Sequence, residues 1–137
     1  MGRVIRDIMK SKVVSVSADD TLWTVKEIME LGSVRHLPVV RKGELIGVVS
    51  QRDLLRASLS SVMGIEGSEH RVFLEQVRIS DVMSSDPISI STGQSIRGAA
   101  RIMAERKIGC LPVVDEGQLV GIVTETDLLR HFAALED

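Results

Sequence analysis

The sequence predicts an α/β protein of the α+β kind, made of two copies of a strand–helix–strand–strand–helix unit. Three observations carry that prediction. Residue n matches residue n+74 without a gap from Asp7–Arg56 to Asp81–Arg130, and 19 of those 50 positions are identical. Each copy holds an apolar pattern at helical spacing, then two short apolar runs around a glycine. The chain has 137 residues, 44% of them hydrophobic and 26% charged, which suits a folded module rather than a disordered one. A unit of about 50 residues buries too little surface to be stable alone. The two copies are therefore expected to share an apolar interface.

The elements follow in order. Val13–Val16 and Ile88–Ile90 are short β-rich segments. Leu22, Val25, Ile28 and Met29 fall on one helical face, as do Ile96, Ala99, Ala100 and Met103. Thr21 and Ser95 stand where a helix cap is needed. Strands His36–Val40 and Glu44–Val49 join around Lys42-Gly43, and Cys110–Val114 joins Gln118–Val123 around Glu116-Gly117. Glycine there supplies the positive φ of a tight hairpin. Pro38 and Pro112 lie near strand starts, where a missing N–H is tolerated. A last helix begins near Ser50 and again near Thr124. Ala57–Glu69 reads as a polar connection, with a short helix over Arg71–Val77. The expected division is a first repeat over 1–59, a connecting segment over 60–76 and a second repeat over 77–137.

One motif occurs twice and carries chemistry. Gly47-Val48-Val49-Ser50-Gln51-Arg52-Asp53 answers to Gly121-Ile122-Val123-Thr124-Glu125-Thr126-Asp127. A hydroxyl residue ends the strand and an aspartate follows three residues later as the helix opens. Two readings fit. In the first, hydroxyl and carboxylate simply cap the helix. In the second, the helix start and hydroxyl take a phosphate, while the carboxylate accepts from the vicinal hydroxyls of a ribose. The geometry alone leaves both open.

With Leu37-Pro38-Val39-Val40 and Leu111-Pro112-Val113-Val114, and the lead-ins Asp7-Ile8-Met9 and Asp81-Val82-Met83, this pattern resembles the cystathionine-β-synthase (CBS) domain in its tandem form, the Bateman module. The resemblance covers Ile5–Arg130. It implies a pseudo-two-fold pair and a non-catalytic regulatory module that binds AMP, ADP or ATP, or NAD or S-adenosylmethionine, in clefts between the copies. On that resemblance Asp53 and Asp127 hold ribose, and Ser50 and Thr124 contact phosphate or ribose. Val14 and Ile88 hold adenine, and Arg35, His36, Arg106 and Lys107 reach phosphate. A homodimer and an effector protein outside this chain are further implications. Because Gln51 and Arg52 face Glu125 and Thr126 in the alignment, the Ser50–Asp53 site is expected to take the more highly phosphorylated ligand. The alternative is an assembly or dimerisation module with no nucleotide.

Other classes find little support. The only aromatic residues are Trp23, Phe73 and Phe132, and the formal charge is −2, which argues against nucleic acid. Apolar runs are too short for a membrane span. The single cysteine, Cys110, allows no intrachain disulfide and suits a reduced cytoplasmic setting. His36, His70 and His131 are scattered, so no metal site is expected. Phosphate-loop and dinucleotide fingerprints are missing, and no base accompanies Ser50, Thr124 or Cys110, so no enzyme is expected.

Overall fold

The structure is a computed structural model that describes residues 3–60 and 68–136. It has mixed α and β architecture and separates into two compact units, Val14–Pro87 and Met1–Val13 with Ile88–Asp137. No described helix is long and apolar enough to cross a membrane.

In the unit Val14–Pro87, β1 (Val16–Ser17) runs parallel to β2 (His36–Arg41), which pairs antiparallel with β3 (Glu44–Ser50). Helix α1 (Leu22–Gly32) lies between β1 and β2 in sequence. Helix α2 (Gln51–Ser60) follows β3 directly, and α3 (Ser68–Gln76) precedes a 3-10 turn at Ile79–Asp81. Strand β4 (Ser84–Ser85) then pairs antiparallel with β3, Ser84 opposite Val48. The core joins Leu22, Val25 and Met29 of α1 to Leu37 and Val39 of β2, Val49 of β3, Leu74 of α3 and Ile79. These are the positions that helical and alternating spacing assign to the inside.

The other unit repeats this plan. Its helix α4 (Ile96–Arg106) packs Ile96, Ala99 and Met103 against Leu111 and Val113 of β5 (Cys110–Asp115) and Val123 of β6 (Gln118–Thr124). Ile5 and Ile90 complete the core. Helix α5 (Glu125–Ala133) closes the unit.

The sequence repeat and the compact unit divide the chain differently. The lead-in of each repeat packs with the body of the other. Ile5 N–H donates to the Gln94 carbonyl at 2.8 Å, and the equivalent Ile79 N–H donates to Asp20 at 2.8 Å. Lys10 exchanges both backbone bonds with Ile122, at 2.9 and 3.0 Å, where Ser84 pairs with Val48 in the other unit. A methionine anchors each lead-in. A Cβ added to Gly121 would lie 2.5 Å from Met9 Sδ, and one added to Gly47 would lie 2.5 Å from Met83 Sδ.

Several expectations shift. The first β segment is paired only at Val16–Ser17, and Ile90 forms a single bridge to Val113. Ser95 caps α4 by accepting from Gly98 N–H at 2.9 Å, but Thr21 makes no side-chain cap bond on α1. Helix α2 runs on to Ser60 and α3 starts at Ser68, so both ends of the expected connection are helical, while its residues 61–67 lie outside the described residues. In both hairpins the residue before glycine also has positive φ, 53° at Lys42 and 50° at Glu116. Two positive φ values in a row make type I′ turns, which match the twist of the paired strands.

Candidate functional site

Strand pairing builds the same corner in each unit. Ser50 ends β3 opposite His36, and Thr124 ends β6 opposite Cys110. The next residue starts a helix, and its N–H donates back across the strand pair: Gln51 to the Arg35 carbonyl at 2.8 Å, Glu125 to the Gly109 carbonyl at 3.1 Å. The backbone of Arg35 is thereby tied to the start of α2, and His36 pairs with Ser50.

Hydroxyl and carboxylate then lock each helix start. Ser50 N–H donates to Asp53 Oδ2 at 2.8 Å, and Asp53 N–H donates to Ser50 Oγ at 3.1 Å. Thr124 N–H donates to Asp127 Oδ2 at 2.9 Å, and Asp127 N–H donates to Thr124 Oγ1 at 3.3 Å. Thr124 Oγ1 also donates to Asp127 Oδ2 at 3.1 Å. These are reciprocal capping boxes in which aspartate fills the position usual for glutamate or glutamine. The capping reading of the motif is thus correct. It does not exhaust the aspartates, because every capping bond that their carboxylates accept falls on Oδ2 and a carboxylate has two acceptor oxygens.

At Asp127 the second oxygen meets a charge. Lys10 Nζ lies 3.8 Å from Asp127 Oδ1, with the lysine side chain 54% exposed and the aspartate side chain 7% exposed. Sequence reading missed Lys10, which lies at the far end of the chain from Asp127. The one available signal was that its repeat partner after the matched methionines is the uncharged Ser84.

The remaining candidate residues are placed less tightly. Val14 and Ile88 are exposed and lie just outside the paired β segments. Arg106 ends α4, where its charge complements the helix dipole. Lys107 is the left-handed C-cap with φ 56°, and its N–H donates to the Met103 carbonyl. Among the described residues neither forms an ion pair with Asp127. Cys110 is buried and desolvation pushes its thiol up to about 12, which leaves it un-ionised and a poor nucleophile. Among the described residues no group of His, Cys, Asp and Glu is arranged to hold a metal ion.

Comparison with known proteins sets these corners in context. The MJ1225 protein of Methanocaldococcus jannaschii is 33% identical over 135 residues, which cover 96% of this chain and 48% of that protein. The chain therefore spans about half the length of that relative. The crystal structure of AcuB from Vibrio cholerae superposes with a TM-score of 0.82 at 33% identity, covering 97% of this chain and 92% of AcuB. CBSX2, solved in complex with AMP, gives a TM-score of 0.83 at 26% identity, covering 99% of this chain and all of CBSX2. The CBS domain profile matches twice, at residues 5–60 and 79–134, on the two repeats whose hydroxyl–aspartate corners are described above. The chain therefore belongs to the CBS-domain family and is a tandem pair of its repeats.

Proposed function

We propose that this CBS pair is a non-catalytic regulatory module whose hydroxyl–aspartate corners bind adenine nucleotides: AMP, ADP, ATP or a related adenosyl ligand. The observation that carries the reading is the spare carboxylate oxygen. Each aspartate is fixed by its capping bonds at one oxygen, which leaves the other directed by the fold and able to accept from ribose hydroxyls. Asp53 and Asp127 take the ribose, and Ser50 and Thr124 with the adjoining helix starts take phosphate or ribose. Arg35 and His36 stand beside the first corner and add positive character there. Val14 and Ile88 offer exposed apolar surface to adenine, and Arg106 and Lys107 offer charge to phosphate. The AMP complex of CBSX2 supports this class of ligand by analogy. No cofactor is obligatory in this reading.

Signalling would work by population shift. A ligand that binds one conformation better favours that conformation, and an effector protein responds to it. The reading extends to a cytoplasmic homodimer. Leu55 and Leu59 on α2, and Leu129 and Phe132 on α5, are exposed apolar side chains that a second copy would cover.

A second reading has one specific observation in its favour. The capping boxes by themselves give both motifs a structural use, so an assembly module without nucleotide would keep them as well. Thermal stabilisation separates the two. AMP, ADP, ATP, NAD and S-adenosylmethionine are each titrated against the protein and against an Asp53→Ala/Asp127→Ala variant. A nucleotide-dependent rise in melting temperature that the variant loses supports binding. No rise with any of them, in folded protein, favours assembly.

A further inference from the structure

We propose that Lys10 is the charge-reading residue of the Thr124–Asp127 corner, giving it a preference for phosphorylated adenosine over the uncharged nucleoside. The inference rests on the nucleotide-binding reading and concerns the same corner.

Three features of the fold converge on it. The backbone of Lys10 is fixed to β6 by two hydrogen bonds with Ile122, at 2.9 and 3.0 Å, two residues before Thr124. Its ammonium lies 3.8 Å from Asp127 Oδ1, the oxygen that the capping bonds leave over. Its stem is half exposed, so the ammonium can turn on a flexible four-carbon chain without disturbing the core. When ribose hydroxyls take Oδ1, the ammonium loses its place at the carboxylate and stands next to the ligand. A 5′-phosphate gives it a new anionic partner. Adenosine does not, and so must displace the ammonium without compensation.

Among the described residues of the other unit no lysine pairs with Asp53. Ser84 occupies the position of Lys10 on the equivalent strand edge, opposite Val48. The charges at 51–52 and 125–126 do not include this lysine, which reaches its corner from the lead-in of the opposite repeat. The Thr124–Asp127 corner thus has a phosphate-reading group of its own.

Calorimetric titration of the full chain tests this, with AMP and adenosine as probes and Asp53→Ala as the background, so that binding at the first corner is removed. In that background Lys10→Met lowers the ratio of AMP affinity to adenosine affinity about fivefold. It also flattens the dependence of AMP binding on salt, and Lys10→Arg restores both. Lys10→Gln repeats the measurement with a polar uncharged side chain. A ratio unchanged in Lys10→Met and Lys10→Gln proteins that still bind adenosine overturns the inference and leaves the nucleotide reading standing. Loss of all binding in the Asp53→Ala background, with the thermal transition intact, overturns the inference alone, whereas no binding of AMP or adenosine to the unsubstituted chain overturns both.

Discussion

Ser50 and Thr124 end equivalent strands, yet among the described residues only Thr124 also donates its hydroxyl to the aspartate it caps, and only Asp127 has an ammonium beside it. His36 stands opposite Ser50, whereas the buried Cys110 stands opposite Thr124. The two units share their hairpin register and differ where side chains surround the corner. The shared Leu-Pro-Val-Val run, the paired glycines and the anchoring methionines hold the frame. The charges around it have diverged, so one frame presents two chemical environments.

The largest effects should test whether the frames are equally packed. Leu37 and Leu111 are 1% and 0% exposed at equivalent positions. Leu37→Ala and Leu111→Ala should each cost about 3 kcal/mol in denaturant unfolding, and a clear inequality would show that one core tolerates a cavity better. Next come the glycines under the methionines. Gly47→Ala and Gly121→Ala should each cost about 2 kcal/mol, since the added Cβ meets Met Sδ and, at 2.9 and 3.1 Å, the carbonyls of Ser84 and Lys10. Adding Met83→Ala or Met9→Ala should recover part of that loss in a double-mutant cycle.

Smaller effects separate the corners themselves. Asp53→Ala should cost about 1 kcal/mol through loss of the cap. Asp127→Ala should cost more, because it also loses the Thr124 hydroxyl bond and its lysine, and parity in melting experiments would deny the extra bonds any weight. The smallest effect is on charge preference. Ser84→Lys, in an Asp127→Ala background, should raise the AMP-to-adenosine affinity ratio of the first corner by about fivefold or less.

The Cys110 thiol is pushed from 9.0 up to about 12 by burial, so an unfolded chain ionises first as pH rises. Its burial therefore contributes stability below pH 9 that fades as the pH climbs toward about 12. Native protein at pH 8 should resist a thiol-specific reagent and react once unfolded.

Much of the frame was legible because repetition doubles every signal. Gly43 and Gly117, or Met29 and Met103, point to structure far more firmly together than apart. The corners were legible for the same reason, since Ser50-x-x-Asp53 and Thr124-x-x-Asp127 sit at one spacing after matched strands. Less visible were features set by tertiary pairing. Thr21 reads as a cap, but nothing local in the sequence tells it from Ser95, which does cap its helix. The length of α2 was underestimated because Ala57 and Ser58 carry no strong stop or continuation signal. Lys10 was hidden because no local pattern links a lead-in to the final helix of the opposite repeat. That link exists only once the antiparallel pairing with Ile122 is formed.

The exchange of lead-ins makes the two halves mutually indispensable. Cleaving the chain between the repeats would yield two pieces, each missing the isoleucine that its own body needs and carrying the one its sibling needs, Ile5 on the first and Ile79 on the second. Neither fragment should fold in isolation, and mixing them should restore the native form by complementation.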